Sequence, residues 1–205
     1  MFKKLLERKS KLSLAIDLTI VLLAIFIMIP QTRKGTIALV LKPTLFAYQP
    51  TLLNKPVPLF NASAEWKLRT LQGDTCTLAD FDGKPTIIHY WATWCAPCLA
   101  EMGQFERLYS DYSDKVNFVF VTNEKRSDVA KFVKRKKIDL PIYQPMTKAP
   151  EQLSVNSLPV TIVIDAQGNI LMRKGGMAQW NGAKMRNILN QLISKNDSRN
   201  EYDAE

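Results

Sequence analysis

Hydrophobic positions along this chain fall into one long block followed by many short ones. The long block, residues 12–29, reads LSLAIDLTIVLLAIFIMI and is apolar except for Ser13, Asp17 and Thr19. At about 1.5 Å of rise per residue, such a run meets the roughly 17 residues a helix needs to cross a bilayer core. We expect a transmembrane helix here, with Asp17 near its basic end, where a carboxylate costs less than at mid-membrane. A cleaved signal peptide is the rival reading of the same run, since 18–29 has the length of an h-region. The flank Pro30-Gln31-Thr32-Arg33-Lys34 offers no small-x-small cleavage site and favours an anchor. Residues 30–60 read as a tether in which Pro43, Pro50, Pro56 and Pro58 break any long helix.

From residue 61 to 194 the pattern is that of one globular domain. Segments 65–71 and 75–78 flank Gln72-Gly73-Asp74, a hairpin signal. Segments 86–91 and 117–122 are apolar without alternation, as in strands buried on both faces. Between them, 97–112 reads as a helix with Pro97 in its first turn, where a missing N–H costs nothing. Ser127 is placed to cap a second helix to about 137, with basic residues in its last turn. A short strand is expected at 141–143, and 160–165 and 170–174 flank a turn at 166–169. An amphipathic helix at 181–193 carries Met185, Ile188, Leu189 and Leu192 on one stripe. The polar tail 195–205 is expected to fray. The order predicts an α/β domain with a mixed central sheet covered by helices.

The net charge of +9 changes this picture little. Lys3, Lys4, Arg8, Lys9 and Lys11 crowd residues 1–11, which we read as a cytoplasmic basic N-terminus. Only Arg33 and Lys34 follow the apolar run closely. That asymmetry places the N-terminus inside and the domain outside the cytoplasm, in a compartment that permits disulfides. The dense run 134–137 is explained as a solvated helix end, so the charge implies no nucleic-acid partner.

Three cysteines are present, Cys76, Cys95 and Cys98, too few for a disulfide-stapled miniprotein. A lone C-x-x-C also suits half of a zinc site. Here no second cysteine pair exists, and the single histidine, His89, lies on the preceding strand. Context raises the signal: a buried strand, Trp91 and Trp94, then Cys95-Ala96-Pro97-Cys98 opening a helix. A helix N-terminus favours the thiolate of Cys95, the attacking species in disulfide exchange. Cys98, one turn later, is in reach to resolve a mixed disulfide, with Pro97 stiffening the loop between. Trp91 and Trp94 could shield the site or offer a docking surface, although core packing is the ordinary fate of such residues. Cys76 reads as a small core residue rather than a regulatory thiol.

W-A-T-W-C-A-P-C and its setting resemble the thioredoxin superfamily, in particular its membrane-anchored TlpA-like and ResA-like branch, over roughly residues 60–194. Ser157-Leu158-Pro159 before residues 160–165 looks like that family's cis-proline loop and the strand after it. The resemblance implies that Pro159 faces Cys95 and that the Leu158 backbone pairs with a substrate peptide. It implies the thioredoxin fold, with segment 127–143 as this branch's central insertion, and no cofactor beyond the redox-active Cys95–Cys98 disulfide. Glu101 matches a glutamate that the ResA-like branch uses beside its cysteines; a surface carboxylate in a first helical turn is the equal alternative. His89 stands where thioredoxins bury an aspartate. It is either a core histidine bonded to a backbone carbonyl or a proton acceptor for Cys98. Val160 and Gly103 replace the family's usual threonine and proline.

The expected activity is thiol–disulfide exchange, in the reducing direction of relatives that serve cytochrome c maturation. Protein thiols and disulfides would be the substrates, and a membrane or periplasmic protein the electron donor. The expected location is a single pass in the cell inner membrane with the domain in the periplasm. A disulfide oxidase and a non-catalytic binding module on the same fold are the alternatives.

Overall fold

The computed structural model of the chain describes residues 11–28, 48–59 and 66–202. Its first element is helix α1 (Lys11–Met28), which corrects the expectation of a spanning helix. Among the described residues, no helix is long and apolar enough to cross a membrane. Ile29 and most of the tether, like residues 1–10 of the basic N-terminus, lie outside the described residues.

Eight strands form one sheet in the order β1-β8-β7-β4-β5-β6-β2-β3. They are β1 (Val57–Pro58), β2 (Lys67–Thr70), β3 (Thr75–Thr77), β4 (Thr86–Tyr90), β5 (Asn117–Val121), β6 (Ile142–Pro145), β7 (Val160–Ile164) and β8 (Asn169–Gly175). The order β-hairpin, β-α-β-α-β, β-hairpin, helix expected from the sequence is the order observed. Strands β4, β5 and β6 run parallel, and β7 returns antiparallel beside β4. Every residue of β4 and β7 is buried, which is why neither strand alternates in polarity.

Side chains of β4 point alternately to two apolar layers. Ile87 belongs to a layer with Phe105, Leu108, Trp180 and Leu189, contributed mainly by helices α2 (Ala96–Tyr112) and α4 (Ala183–Tyr202). Ile88 and Tyr90 belong to the opposite layer with Trp66, Leu68, Leu153 and Ile162. His89 faces the helix side, its ring 4.4 Å from that of Phe105.

Three local expectations need correction. Val57–Pro58, read as tether, forms edge strand β1 against Ile170 and Asn169 of β8. The Leu53 and Leu59 N–H groups extend that seam by donating to Leu171 and Gly168 carbonyls at 2.7 and 2.9 Å. Helix α3 (Arg126–Lys136) starts after Lys125 with no side-chain cap; the Ser127 hydroxyl instead meets the Asp128 carboxylate at 3.3 Å. Helix α4 continues to Tyr202 where a frayed tail was expected from Lys195. No proline or glycine interrupts it, and Asn196 ties it down by donating to the Gly83 carbonyl at 2.9 Å.

Candidate functional site

The carboxyl edge of the parallel strands carries the chemistry. Strand β4 ends at Tyr90, and the chain crosses the loop of Trp91 to Trp94 before α2 begins at Ala96. Cys95 is the N-cap of α2 in extended conformation, and its sulfur accepts the Cys98 N–H at 3.2 Å. This hydrogen bond satisfies a first-turn donor and directs the helix's positive end at sulfur, so the Cys95 thiolate is favoured. Cys95 and Cys98 form a disulfide with a Cα–Cα separation of 5.3 Å. Cys95 retains a small opening to solvent, 4%, whereas Cys98 has none. That difference makes Cys95 the more accessible sulfur of the pair.

The two tryptophans divide the roles the sequence left open. Trp94 is 59% exposed beside Cys95 and offers an apolar platform, while Trp91 is core, 1% exposed, with its ring 6.3 Å from Phe132. The Leu158–Pro159 bond is cis. Val160 pairs with Tyr90, so Pro159 lies at the end of the sheet from which the chain leads to Cys95. Leu158 is half-buried and packs against both apolar layers.

Glu101 is not the surface carboxylate that one reading expected; it is fully buried. Its Oε1 accepts the Ala178 N–H at 2.7 Å and the Trp180 indole N–H at 2.6 Å. Its Oε2 meets no partner. Burial raises its pKa from 4.5 to about 8, against the two hydrogen bonds and the charge of Lys174, which pull it down. Both donors meet Oε1, which leaves Oε2 as the free oxygen. Glu101 follows Cys98 by one helical turn, which sets their side chains on one face with Cβ atoms about 5–6 Å apart.

His89 is also fully buried. Its Nδ1 lies 2.9 Å from the Thr161 hydroxyl, replacing the backbone carbonyl expected as its partner, and its Nε2 has no partner. Burial alone pushes its pKa down from 6.5 to about 3, so the ring is neutral and a weak proton acceptor. Cys76 is a free, half-buried thiol on β3. Burial, then the charge of Asp80, raises its pKa and holds it in the unreactive form.

Sequence reasoning missed the partners of the site. Ala178 and Trp180 reach Glu101 from the segment after β8. Glu124, just past β5, receives both the N–H and the hydroxyl of Thr93 in the loop before Cys95. The only available signal was the position of Glu124 past the carboxyl end of a parallel strand, where α/β sheets place their sites.

A disulfide-forming cysteine pair at a helix N-terminus, with a buried carboxyl one turn on, has the form of a thioredoxin-type redox site. Residues 54–173 match the AhpC/TSA family, and the chain belongs to it. It is similar to the thioredoxin-like protein YneN of Bacillus subtilis, 34% identical over 110 residues, covering 52% of this chain and 65% of that protein. The thiol-disulfide oxidoreductase ResA of Halalkalibacterium halodurans is 32% identical over 116 residues, covering 55% of this chain and 66% of ResA. The chain thus spans just under two thirds of the length of these relatives. Among solved structures, a thiol:disulfide interchange protein of the thioredoxin family from Chlorobium tepidum TLS superimposes with a TM-score of 0.51. It is 25% identical, over 71% of this chain and 97% of that one. The sequence resemblance to the ResA-like thioredoxins therefore holds.

Proposed function

We propose that this chain is a thiol–disulfide oxidoreductase that reduces disulfides of other proteins. The Cys95 thiolate attacks a substrate disulfide, forming a mixed disulfide and releasing one substrate thiolate. The Cys98 thiolate then attacks the Cys95 sulfur, releasing the second substrate thiol and leaving the Cys95–Cys98 disulfide. Two electrons pass to the substrate, and a dithiol protein at the membrane returns them. Glu101 exchanges its Oε2 proton beside Cys98 during resolution. The observation that carries this reading is Cys95 as helix cap in front of a buried Cys98. Insulin reduction should be abolished in Cys95→Ser, whereas Cys98→Ser should accumulate mixed disulfides with substrate. Turnover persisting in Cys95→Ser would overturn the proposal. Failure of the wild-type chain to reduce insulin would favour a binding module.

We place the domain outside the cytoplasm, attached to the membrane through α1. What supports attachment is an apolar helix with Leu14, Ile16, Leu18, Ile20, Val21 and Leu22 exposed next to a basic N-terminal flank. A membrane-impermeant thiol reagent should label reduced Cys95 in spheroplasts of cells making the full chain. Labelling only after lysis would refute the orientation.

A further inference from the structure

We propose that Glu124 is a positioning residue for the redox centre, acting through Thr93 to hold the loop that presents Cys95. The inference rests on the exchange chemistry proposed for Cys95. Glu124 uses both carboxylate oxygens on one residue: Oε2 accepts the Thr93 N–H at 2.6 Å and Oε1 accepts the Thr93 hydroxyl at 2.7 Å. Such a two-point, charge-assisted grip fixes orientation as well as distance.

Glu124 is itself held. Its N–H donates to the Thr122 hydroxyl, which in turn lies 3.4 Å from Oε2. Its carbonyl accepts the side-chain amide of Gln144 on β6. The grip thus joins the loop after β4 to the ends of β5 and β6.

The loop's other hydrogen bonds to its surroundings are backbone ones, and Trp91, at its start, packs into the core. The Trp91 N–H donates to the Val121 carbonyl at 3.0 Å, before the turn, and the Cys95 N–H donates to Ala92 at 3.1 Å, within it. Among the described residues, Thr93 makes the loop's one side-chain hydrogen bond to another part of the chain. Its neighbour Trp94 is 59% exposed and packs too little to replace that link. Without Glu124, the stretch immediately before the attacking sulfur loses its orientation relative to the sheet edge that carries Pro159.

The test measures, on the reduced full chain, the rate constant for attack of Cys95 on insulin disulfide, with thermal stability followed in parallel. Glu124→Ala and Thr93→Val should each slow attack about tenfold or more, the scale expected when a reacting group is displaced. Glu124→Gln and Thr93→Ser should stay within about twofold of wild type, because glutamine accepts the Thr93 N–H and donates to its hydroxyl, and serine keeps the hydroxyl. The double variant Glu124→Ala/Thr93→Val should be no slower than Glu124→Ala alone. Wild-type rates in Glu124→Ala, or Glu124→Gln as slow as Glu124→Ala, would overturn the proposal. Should Glu124→Ala fail to fold, the contrast between Thr93→Val and Thr93→Ser decides it. Exchange persisting in Cys95→Ser would instead strike the proposed function, so the two failures are told apart.

Discussion

Glu101 and His89 take opposite protonation states for one cause. Burial penalises the charged form of each, so the carboxyl keeps its proton to about pH 8 and the imidazole refuses one until about pH 3. A carboxyl one turn from Cys98 can supply a proton below about pH 8 and, once ionised above it, accept one when the buried sulfur changes charge. Release of a trapped mixed disulfide, followed by stopped flow from about pH 5 to 10, should therefore show a limb near pH 8 that Glu101→Gln lacks. Trp180→Phe keeps a ring to stack on Phe105, 5.4 Å away in the native pair. It removes one of the donors that favour the ionised carboxyl, so its limb should move to higher pH. Superimposable profiles in all three proteins would reduce Glu101 to a structural role.

Elements differ in how far the sequence announces them. Strands β4, β5 and β7 are continuous apolar runs, and α2 begins with a proline in its first turn. Residue types alone specify such features. The turns were legible for a similar reason: Gly73 and Gly168 adopt φ of +113° and +80°, a region open mainly to glycine. Strand β1 was not legible, because its two residues include Pro58, and only the edge of β8 makes them a strand. The cysteine pair and its N-cap could be read because they are local. The surroundings of Glu101 could not, since Ala178 and Trp180 lie 77 and 79 residues away and meet it only once β8 has turned back toward α2. Glu124 reaches Thr93 across 31 residues for the same reason. A surface or buried setting for Glu101 is decided by that long-range closure, which no helical pattern contains.

For the molecule as a whole, the same two buried groups shape stability against pH. Glu101 has its pKa raised on folding, so the native state keeps a proton that the unfolded chain loses. Its contribution is full below its ordinary 4.5 and is lost as pH rises to about 8. His89 has its pKa lowered, so its contribution is full above its ordinary 6.5 and is lost as pH falls toward 3. Each slope amounts to about 1.4 kcal/mol per pH unit where it acts. Between pH 4.5 and 6.5 the slopes oppose each other and cancel, so these groups predict a plateau there with a decline on either side. Thermal unfolding of the oxidised protein should show the decline from pH 6.5 to 8 in wild type and its loss in Glu101→Gln. His89→Asn, which keeps a polar partner for Thr161, should flatten the curve below pH 4.5 and let the Glu101 decline run unopposed from pH 4.5 to 8. Melting curves of wild type and Glu101→Gln that fall in parallel from pH 6.5 to 8 would show that the Glu101 carboxyl does not hold its proton in the native state.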